Sequence, residues 1–164
     1  MTIATASGYR PFVPRLAARW DADAPGLRAR ELDASLLGLD ISGFTALSER
    51  LAERGKLGAE ELILLISRCY SGLIDIADRY GGDVLKFRGD ALLLLYDRAG
   101  HEERAALSAL AMQAFIAEAG SGESSVGPVR LGMAGGCVSG PCHAFLLGRH
   151  HRELLVCGPS ASGT

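Results

Sequence analysis

Two aspartates stand at the ends of apolar segments, where a carboxylate is better placed for chemistry than for packing. Asp40 closes the apolar run SLLGLDI at 35–41, and Asp90 lies in the turn between the apolar halves of VLKFRGDALLLLY at 84–96. Burying a carboxylate beside such runs is costly unless it is paired or bound to a metal. If the first strand lies beside the hairpin, both side chains converge at one edge of a sheet. Two carboxylates and a backbone carbonyl suit Mg²⁺ or Mn²⁺.

The residues around these aspartates favour a nucleotide as the partner of the metal. Residues 42–45, SGFT, predict a turn into a helix whose first N–H groups can hold phosphate. Lys86 and Arg130 are the obvious cations for the nucleotide. Each residue alone also has a plain structural interpretation, since an aspartate at a strand end is a common turn former and Lys86 fits the solvent side of a half-buried strand. The nucleotide-site hypothesis depends on their combination.

The elements that must position these residues follow from apolar spacing and from glycine and proline. Their alternation predicts an α+β domain over 35–164 with a mainly antiparallel sheet, after a lead-in at 1–34. The chain stops at Thr164, soon after a strand, so we expect the domain to be incomplete at its C-terminus. The predicted helices are 11–20, 45–53 capped by Thr45, 60–80 and 101–119; the predicted strands are 35–41, 84–87, 91–96, 129–138, 144–147 and 153–157, with a Gly/Ser loop at 120–127.

Composition narrows the class of function. With 164 residues, 17 basic and 19 acidic side chains and a net charge of −2, the chain can form one core and has no basic surplus for nucleic acid or an anionic membrane. No apolar run reaches membrane-span length, and the N-terminus does not resemble a signal peptide, so we expect a cytoplasmic protein. Cys137 and Cys142, followed by His143, suggest zinc only weakly because a second ligand pair is missing. All four cysteines are expected to be reduced thiols.

Two motifs in this order resemble the class III nucleotidyl cyclases, which make cyclic AMP or cyclic GMP. They are Asp40-Ile-Ser-Gly-Phe-Thr45 and Gly81-Gly-Asp-Val-Leu-Lys-Phe-Arg-Gly-Asp-Ala91. The resemblance covers about residues 35–160 and is greatest to the first (C1-type) domain of the soluble, bicarbonate-responsive adenylyl cyclases. It implies a ferredoxin-like antiparallel sheet with helices packed on it.

The resemblance also implies roles for individual residues. Asp40 and Asp90, helped by the carbonyl of Ile41, would hold two Mg²⁺ or Mn²⁺ ions that promote attack of the ribose 3′-oxygen on the α-phosphorus. The turn Ser42, Gly43, Phe44 and Thr45 would wrap the phosphates, and Arg130 would bind the triphosphate tail. Lys86 would read adenine, which favours ATP over GTP.

Active sites of this class lie between two cyclase domains, so the resemblance implies a second domain as partner, in the same protein or in a homodimer. Asp40 and Lys86 would then belong to two different, pseudo-symmetric sites. The chain departs from the class pattern at its end. The second base-reading position falls on Leu155, which cannot bond the adenine amino group, and the usual asparagine is Ser162. The usual arginine position lies past Thr164.

These departures predict a C1-type half-site that is inactive or weak without its partner. The alternative is a regulatory cyclase-homology domain that binds nucleotide or a small anion such as bicarbonate near Lys86. A diguanylate cyclase, suggested by Gly81-Gly82-Asp83, is disfavoured because Val84 and Leu85 continue a strand.

Overall fold

The chain folds into a five-stranded sheet with helices on both faces. The computed structural model describes residues 13–23, 25–149 and 152–157. Within them the predicted α+β class is confirmed. The helices are α1 (Arg15–Asp23), α2 (Phe44–Ala52), α3 (Lys56–Arg79) and α4 (His101–Ala119); the strands are β1 (Ala29–Ser42), β2 (Asp83–Arg88), β3 (Ala91–Tyr96), β4 (Ser121–Ser124), β5 (Gly127–Arg130), β6 (Gly132–Leu147) and β7 (Glu153–Cys157).

The main sheet has the strand order β2-β3-β1-β6-β7, and each neighbouring pair is antiparallel. β1 is central, with β3 on one side and β6 on the other. This order confirms the ferredoxin-like arrangement that the two motifs implied. β4 and β5 form a separate two-stranded ribbon.

The period of two along β1 divides the core into two layers. Leu37, Leu39 and Ile41 pack with α2, α3 and α4 on one face of the sheet. Alternate residues such as Leu36 pack on the opposite face, against Leu16 and Trp20 of α1. Both α1 side chains are fully buried, and burying each one stabilises the fold by about 1.5–3 kcal/mol.

α1 belongs to the segment predicted as a lead-in, and it is docked on the sheet by a side-chain cap. The backbone N–H groups of Arg15 and Leu16 each donate to the carboxylate of Asp83, at 2.8 Å. Asp83 thus satisfies two of the N–H groups that a helix N-terminus leaves without partners. Among the described residues no helix has the length and apolar character that crossing a membrane requires.

The structure corrects several boundaries. β1 begins at Ala29, before the predicted residue 35, because its first half pairs with β6, and exposed and half-buried residues alternate there. The predicted loop at 120–127 is wrong: β4 and β5 pair there despite their Gly/Ser composition, which is typical of loops. Thr45 does not cap α2, since the cap position is Gly43 and Thr45 lies inside the helix.

The strands predicted at 129–138 and 144–147 are largely one strand, β6, while Arg130 ends β5. Gly140 and Pro141, between the two predicted strands, lie inside β6. Proline is tolerated there because β7 pairs with β6 only from His143 onward, so Pro141 lies where the described residues place no outer neighbour. The hairpin predicted at the end of the chain is present as the β6–β7 pair, although residues 150–151 lie outside the described residues.

Candidate active site

Strand register brings Asp40 and Asp90 to the same end of the sheet. Asp40 lies opposite Ala91 in the β1–β3 pair, and Asp90 immediately precedes Ala91 in the turn after β2. The backbone N–H of Ile41 donates to the carbonyl oxygen of Asp90 at 3.3 Å. Gly89 provides the left-handed residue that the turn requires, with φ +67°. Both aspartates therefore lie at the same end of the sheet, as the sequence predicts, although Asp40 and Asp90 line different clefts.

Both carboxylates are exposed, and within the described part of the chain neither forms a hydrogen bond or an ion pair. Oxygen donors of this kind fit Mg²⁺ or Mn²⁺. No set of three or more His, Cys, Asp or Glu side chains among the described residues is placed to hold a metal, the Cys137, Cys142 and His143 group included. Two carboxylates and a carbonyl would leave most of a cation's coordination shell to phosphate oxygens and water.

Asp90 opens into a cleft of about 410 Å³ between α2, α3 and the β2–β3 turn. Tyr70 of α3 lies in this cleft, stacked on Phe44 and edge-on to Phe87. Burial raises the pKa of the Tyr70 hydroxyl, and the negative charges of Asp90 and Asp40 raise that pKa further. Both carboxylates therefore act electrostatically on the same side chain. The cleft is lined by Phe44, Thr45, Ser48, Leu62, Ile66, Tyr70, Gly89 and Asp90.

The turn between β1 and α2 depends on Gly43. Its φ is +96°, and a Cβ at this position would lie 3.3 Å from the carbonyl oxygen of Arg130 and 3.3 Å from Leu131 Cδ2. Only glycine fits both requirements. No side chain among the described residues caps the N-terminus of α2, so its first N–H groups and the positive end of its dipole stay available to an anion. Arg130 is exposed, and its backbone lies against this turn.

Lys86 faces a different cleft. This second cleft, about 670 Å³, lies between β2, α1 and α3 and contains Arg15, Asp78 and Asp83 as well as Lys86. The structure therefore does not bring Lys86 into the cleft that Asp90 lines. Ser162 and Thr164 lie outside the described residues.

Lys86 has an acidic neighbour that the sequence analysis missed. Its Nζ lies 3.6 Å from Oε1 of Glu153 on β7, although β2 and β7 are the two outer strands of the sheet. The sheet is therefore curved enough for long side chains on its two edges to meet. Leu155, two residues along β7, is 49% exposed and pairs with Phe145.

Two more residues escaped the sequence analysis. Tyr70 is four residues after Ile66, on a spacing that marks the inner face of α3, and that spacing was the available signal. Arg88 is last in β2 and lies in the same cross-strand row as Ala91, Asp40 and Ala134. A cation thus shares a face of the sheet with Asp40, and Arg88 and Asp40 line one cleft of about 490 Å³.

No family model matches the chain. Over 66 residues, 39% of the chain, it is 41% identical to adenylate cyclase type 10 of Homo sapiens and, equally, of Rattus norvegicus. The matched segment is 4% of the length of those curated relatives.

Solved structures extend the likeness to most of the chain. The adenylyl cyclase CyaB from P. aeruginosa superposes with a TM-score of 0.67 and 22% identity, over 83% of this chain and 70% of that one. The dimeric guanylyl cyclase domain of the RhoGC fusion protein from Blastocladiella emersonii superposes with a TM-score of 0.66 and 21% identity, over 83% of this chain and 73% of that one. A bacterial light-regulated adenylyl cyclase superposes with a TM-score of 0.73 and 18% identity, over 95% of this chain and 45% of that one.

The fold is that of a class III nucleotidyl cyclase catalytic domain. The resemblance carried by the Asp40 and Asp90 motifs is thereby confirmed, with adenylyl and guanylyl cyclases both among the structural neighbours.

Proposed function

We propose that this domain is one half of an adenylyl cyclase, a phosphorus-oxygen lyase that converts ATP to 3′,5′-cyclic AMP and pyrophosphate at an interface with a second cyclase domain. The observation that carries the proposal is the placement of Asp40 and Asp90, two exposed carboxylates, at one end of the sheet and next to the uncapped N-terminus of α2. We place the protein in the cytoplasm.

In this proposal Asp40, Asp90 and the carbonyl of Ile41 hold two ions, Mg²⁺ or Mn²⁺. Bound ions would activate the ribose 3′-hydroxyl and neutralise charge on the phosphates. The protein's own part is positioning. The turn Ser42–Thr45 and the first N–H groups of α2 receive phosphate oxygens, and Arg130, packed against Gly43 through its backbone, adds a cation for the triphosphate. These contacts align the α-phosphorus for in-line attack.

Two considerations support ATP and a partner domain. Lys86 faces a cleft separate from that of Asp90, which supports a partner domain that supplies base recognition to the working site, and the choice of ATP is supported by the 41% identity to adenylate cyclase type 10. Among the structural neighbours, a rhodopsin-guanylyl cyclase core of converted specificity was solved with ATPαS, and a guanylate cyclase domain from Catenaria anguillulae with GTP. Dimeric assembly is described for the RhoGC domain.

The deciding experiment mixes the chain with a C2-type cyclase domain, Mn²⁺ and either ATP or GTP, and measures the cyclic nucleotide formed. We expect cyclic AMP from the mixture and little or none from the chain alone. Absence of product with an intact, correctly associated partner, together with retained ATP binding, would sink the catalytic proposal.

That negative result would support the second candidate, a regulatory domain that binds nucleotide or a small anion such as bicarbonate. It is favoured by Leu155, an apolar side chain where base recognition calls for a polar one, and by Lys86, an exposed cation in a cleft of its own. Titration with ATP and with bicarbonate, without a partner domain, measures this function directly.

A further inference from the structure

Three aromatic rings form a row between the segments that carry the two aspartates. Phe44 opens α2, four residues after Asp40, and Phe87 lies on β2, three residues before Asp90. Tyr70, from the middle of α3, lies between them. Its ring is parallel to that of Phe44, at 6.3 Å between centroids and 6° between planes, and edge-on to that of Phe87, at 5.6 Å and 69°.

These are the offset-stacked and edge-to-face geometries that aromatic pairs prefer, and each pair is worth a factor of about two to ten in a local equilibrium. The direct link between the two segments at this point is weaker. The hydrogen bond from the Ile41 N–H to the Asp90 carbonyl is 3.3 Å long, against about 2.9–3.0 Å for an ordinary backbone bond. The aromatic row therefore adds a lateral constraint where the strand ladder ends.

α3 is suited to supply this constraint because it is the longest helix of the described chain, at 24 residues, and is fixed by buried Cys69 and Leu73 on either side of Tyr70. A ring on such a helix moves little. Metal ligands need that stability, since displacing a catalytic group by about 1 Å can cost a hundredfold in rate.

We propose that Tyr70 is a positioning residue: its ring, held between Phe44 and Phe87, sets the separation of the Asp40 and Asp90 segments. The meaning of that separation as a metal-site geometry rests on the proposed function. The positioning itself is a property of the folded chain without metal or nucleotide, so it can be tested separately.

The first test is amide hydrogen exchange of the full chain, read at Ile41 and, as a core reference, at Leu94 of β3. Tyr70→Leu removes both aromatic pairs and should speed exchange at Ile41 roughly tenfold relative to Leu94. Tyr70→Phe keeps the rings and should leave Ile41 unchanged. Tyr80→Leu is the matched control, since Tyr80 is also a half-buried tyrosine, next to the C-terminal end of α3 and packed on the same core.

Equal acceleration at Ile41 and Leu94 in Tyr70→Leu would show a general loss of stability and overturn the proposal. The same acceleration in Tyr70→Phe as in Tyr70→Leu would also overturn it, because the ring would then not be the constraint.

The second test is Mn²⁺ binding in the presence of ATP, followed by the paramagnetic resonance signal of free Mn²⁺ relative to a protein-free sample with the same ATP, because ATP itself binds Mn²⁺. Tyr70→Leu should weaken binding about tenfold, and Asp40→Asn should abolish it. If Asp40→Asn loses Mn²⁺ binding while Tyr70→Leu binds Mn²⁺ as the wild type does, the positioning role of Tyr70 is overturned and the proposed function is not. Wild-type binding in Asp40→Asn overturns the metal assignment of the proposed function, and the exchange experiment still decides the role of Tyr70.

Discussion

At the scale of single residues, the proposed metal ligands contribute little to stability. Asp40 and Asp90 are exposed and form no ion pair with any described residue. Asp40→Asn or Asp90→Asn should therefore change the free energy of unfolding by no more than about 0.5 kcal/mol. Each should abolish metal-dependent turnover in the reconstituted pair. Urea denaturation and a cyclic AMP assay measure the two effects, and wild-type turnover by either variant would refute the metal assignment.

Asp83 behaves in the opposite way, although it stands in the same Gly-Gly-Asp-Val-Leu-Lys motif. It is buried and accepts the N–H groups of Arg15 and Leu16. Asp83→Ala should destabilise the fold by about 1–2 kcal/mol, the usual cost of losing a helix cap. Asp75→Ala on the exposed side of α3 is the control, and a loss no larger than the control's would contradict the capping role. Chemical denaturation supplies the measurement.

The pH dependence of stability follows from the same carboxyl. Burial raises the pKa of Asp83, and the hydrogen bonds from Leu16 and Arg15 oppose that rise only in part. The folded state therefore holds this proton more tightly than the unfolded state does. This contribution to stability is present below the unfolded pKa and is lost as pH rises through the folded value. As pH rises through that interval, the unfolding free energy of the wild type should fall relative to that of Asp83→Asn. A difference between the two proteins that does not change with pH would contradict this prediction.

The position of a site residue could be predicted from the sequence when a local turn sets it, and could not when tertiary packing sets it. Asp40 and Asp90 are brought to one end of the sheet by a tight turn, which local sequence determines, and by the pairing of β1 with β3, which the sequence analysis could only assume. Tyr70 and Glu153 were missed because their neighbours depend on the rotation of α3 and the twist of the whole sheet. Those quantities are set by packing, and the spacing from Ile66 to Tyr70 indicates only that Tyr70 lies on the inner face of α3.

At the scale of elements, the β1–α2 turn is the most constrained connection of the site. Gly43→Ala should cost about 1–2 kcal/mol for the left-handed backbone alone, and more because the new Cβ meets Arg130 and Leu131 at 3.3 Å. Gly89→Ala is the matched control, since Gly89 also has positive φ but nothing lies within 4 Å of its Cβ position. Thermal or urea unfolding should rank Gly43→Ala as the more destabilising. The reverse order would show that the contact with Arg130 and Leu131 is not a constraint.

The elements also show which patterns are reliable. α3 and α4 follow from their apolar spacing, and β2 and β3 from the glycine turn between two apolar runs. β4, SGES, has the composition of a loop, but it pairs with β5 through the backbone, and Ser124 Oγ donates to the carbonyl oxygen of Gly127 across the turn. The apolar run of β1 begins at Ser35, but backbone pairing with β6 extends the strand back to Ala29.

At the scale of the whole molecule, the residues of the proposed function lie in two separate clefts of one domain. Asp90 and the turn after Asp40 line one cleft, and Lys86 lines the other. Lys86 also contacts Glu153, on the opposite edge of the sheet. In the proposed pseudo-symmetric pair, each of these clefts would form half of one site.

Lys86→Glu tests this division in the chain paired with a C2-type domain. If the Asp90 cleft forms the working site, the preference for ATP over GTP should stay within about twofold of wild type, as for a substitution outside the site.

Any response to bicarbonate should be lost in Lys86→Glu, because the cation of the second cleft is gone. Glu153→Gln should strengthen that response. Both side chains of the Lys86–Glu153 pair are about two-thirds exposed, so freeing Lys86 costs less than about 1 kcal/mol. Steady-state kinetics with both nucleotides, with and without bicarbonate, measures all three effects. A collapse of ATP preference in Lys86→Glu would place Lys86 in the working site and reject the two-cleft assignment.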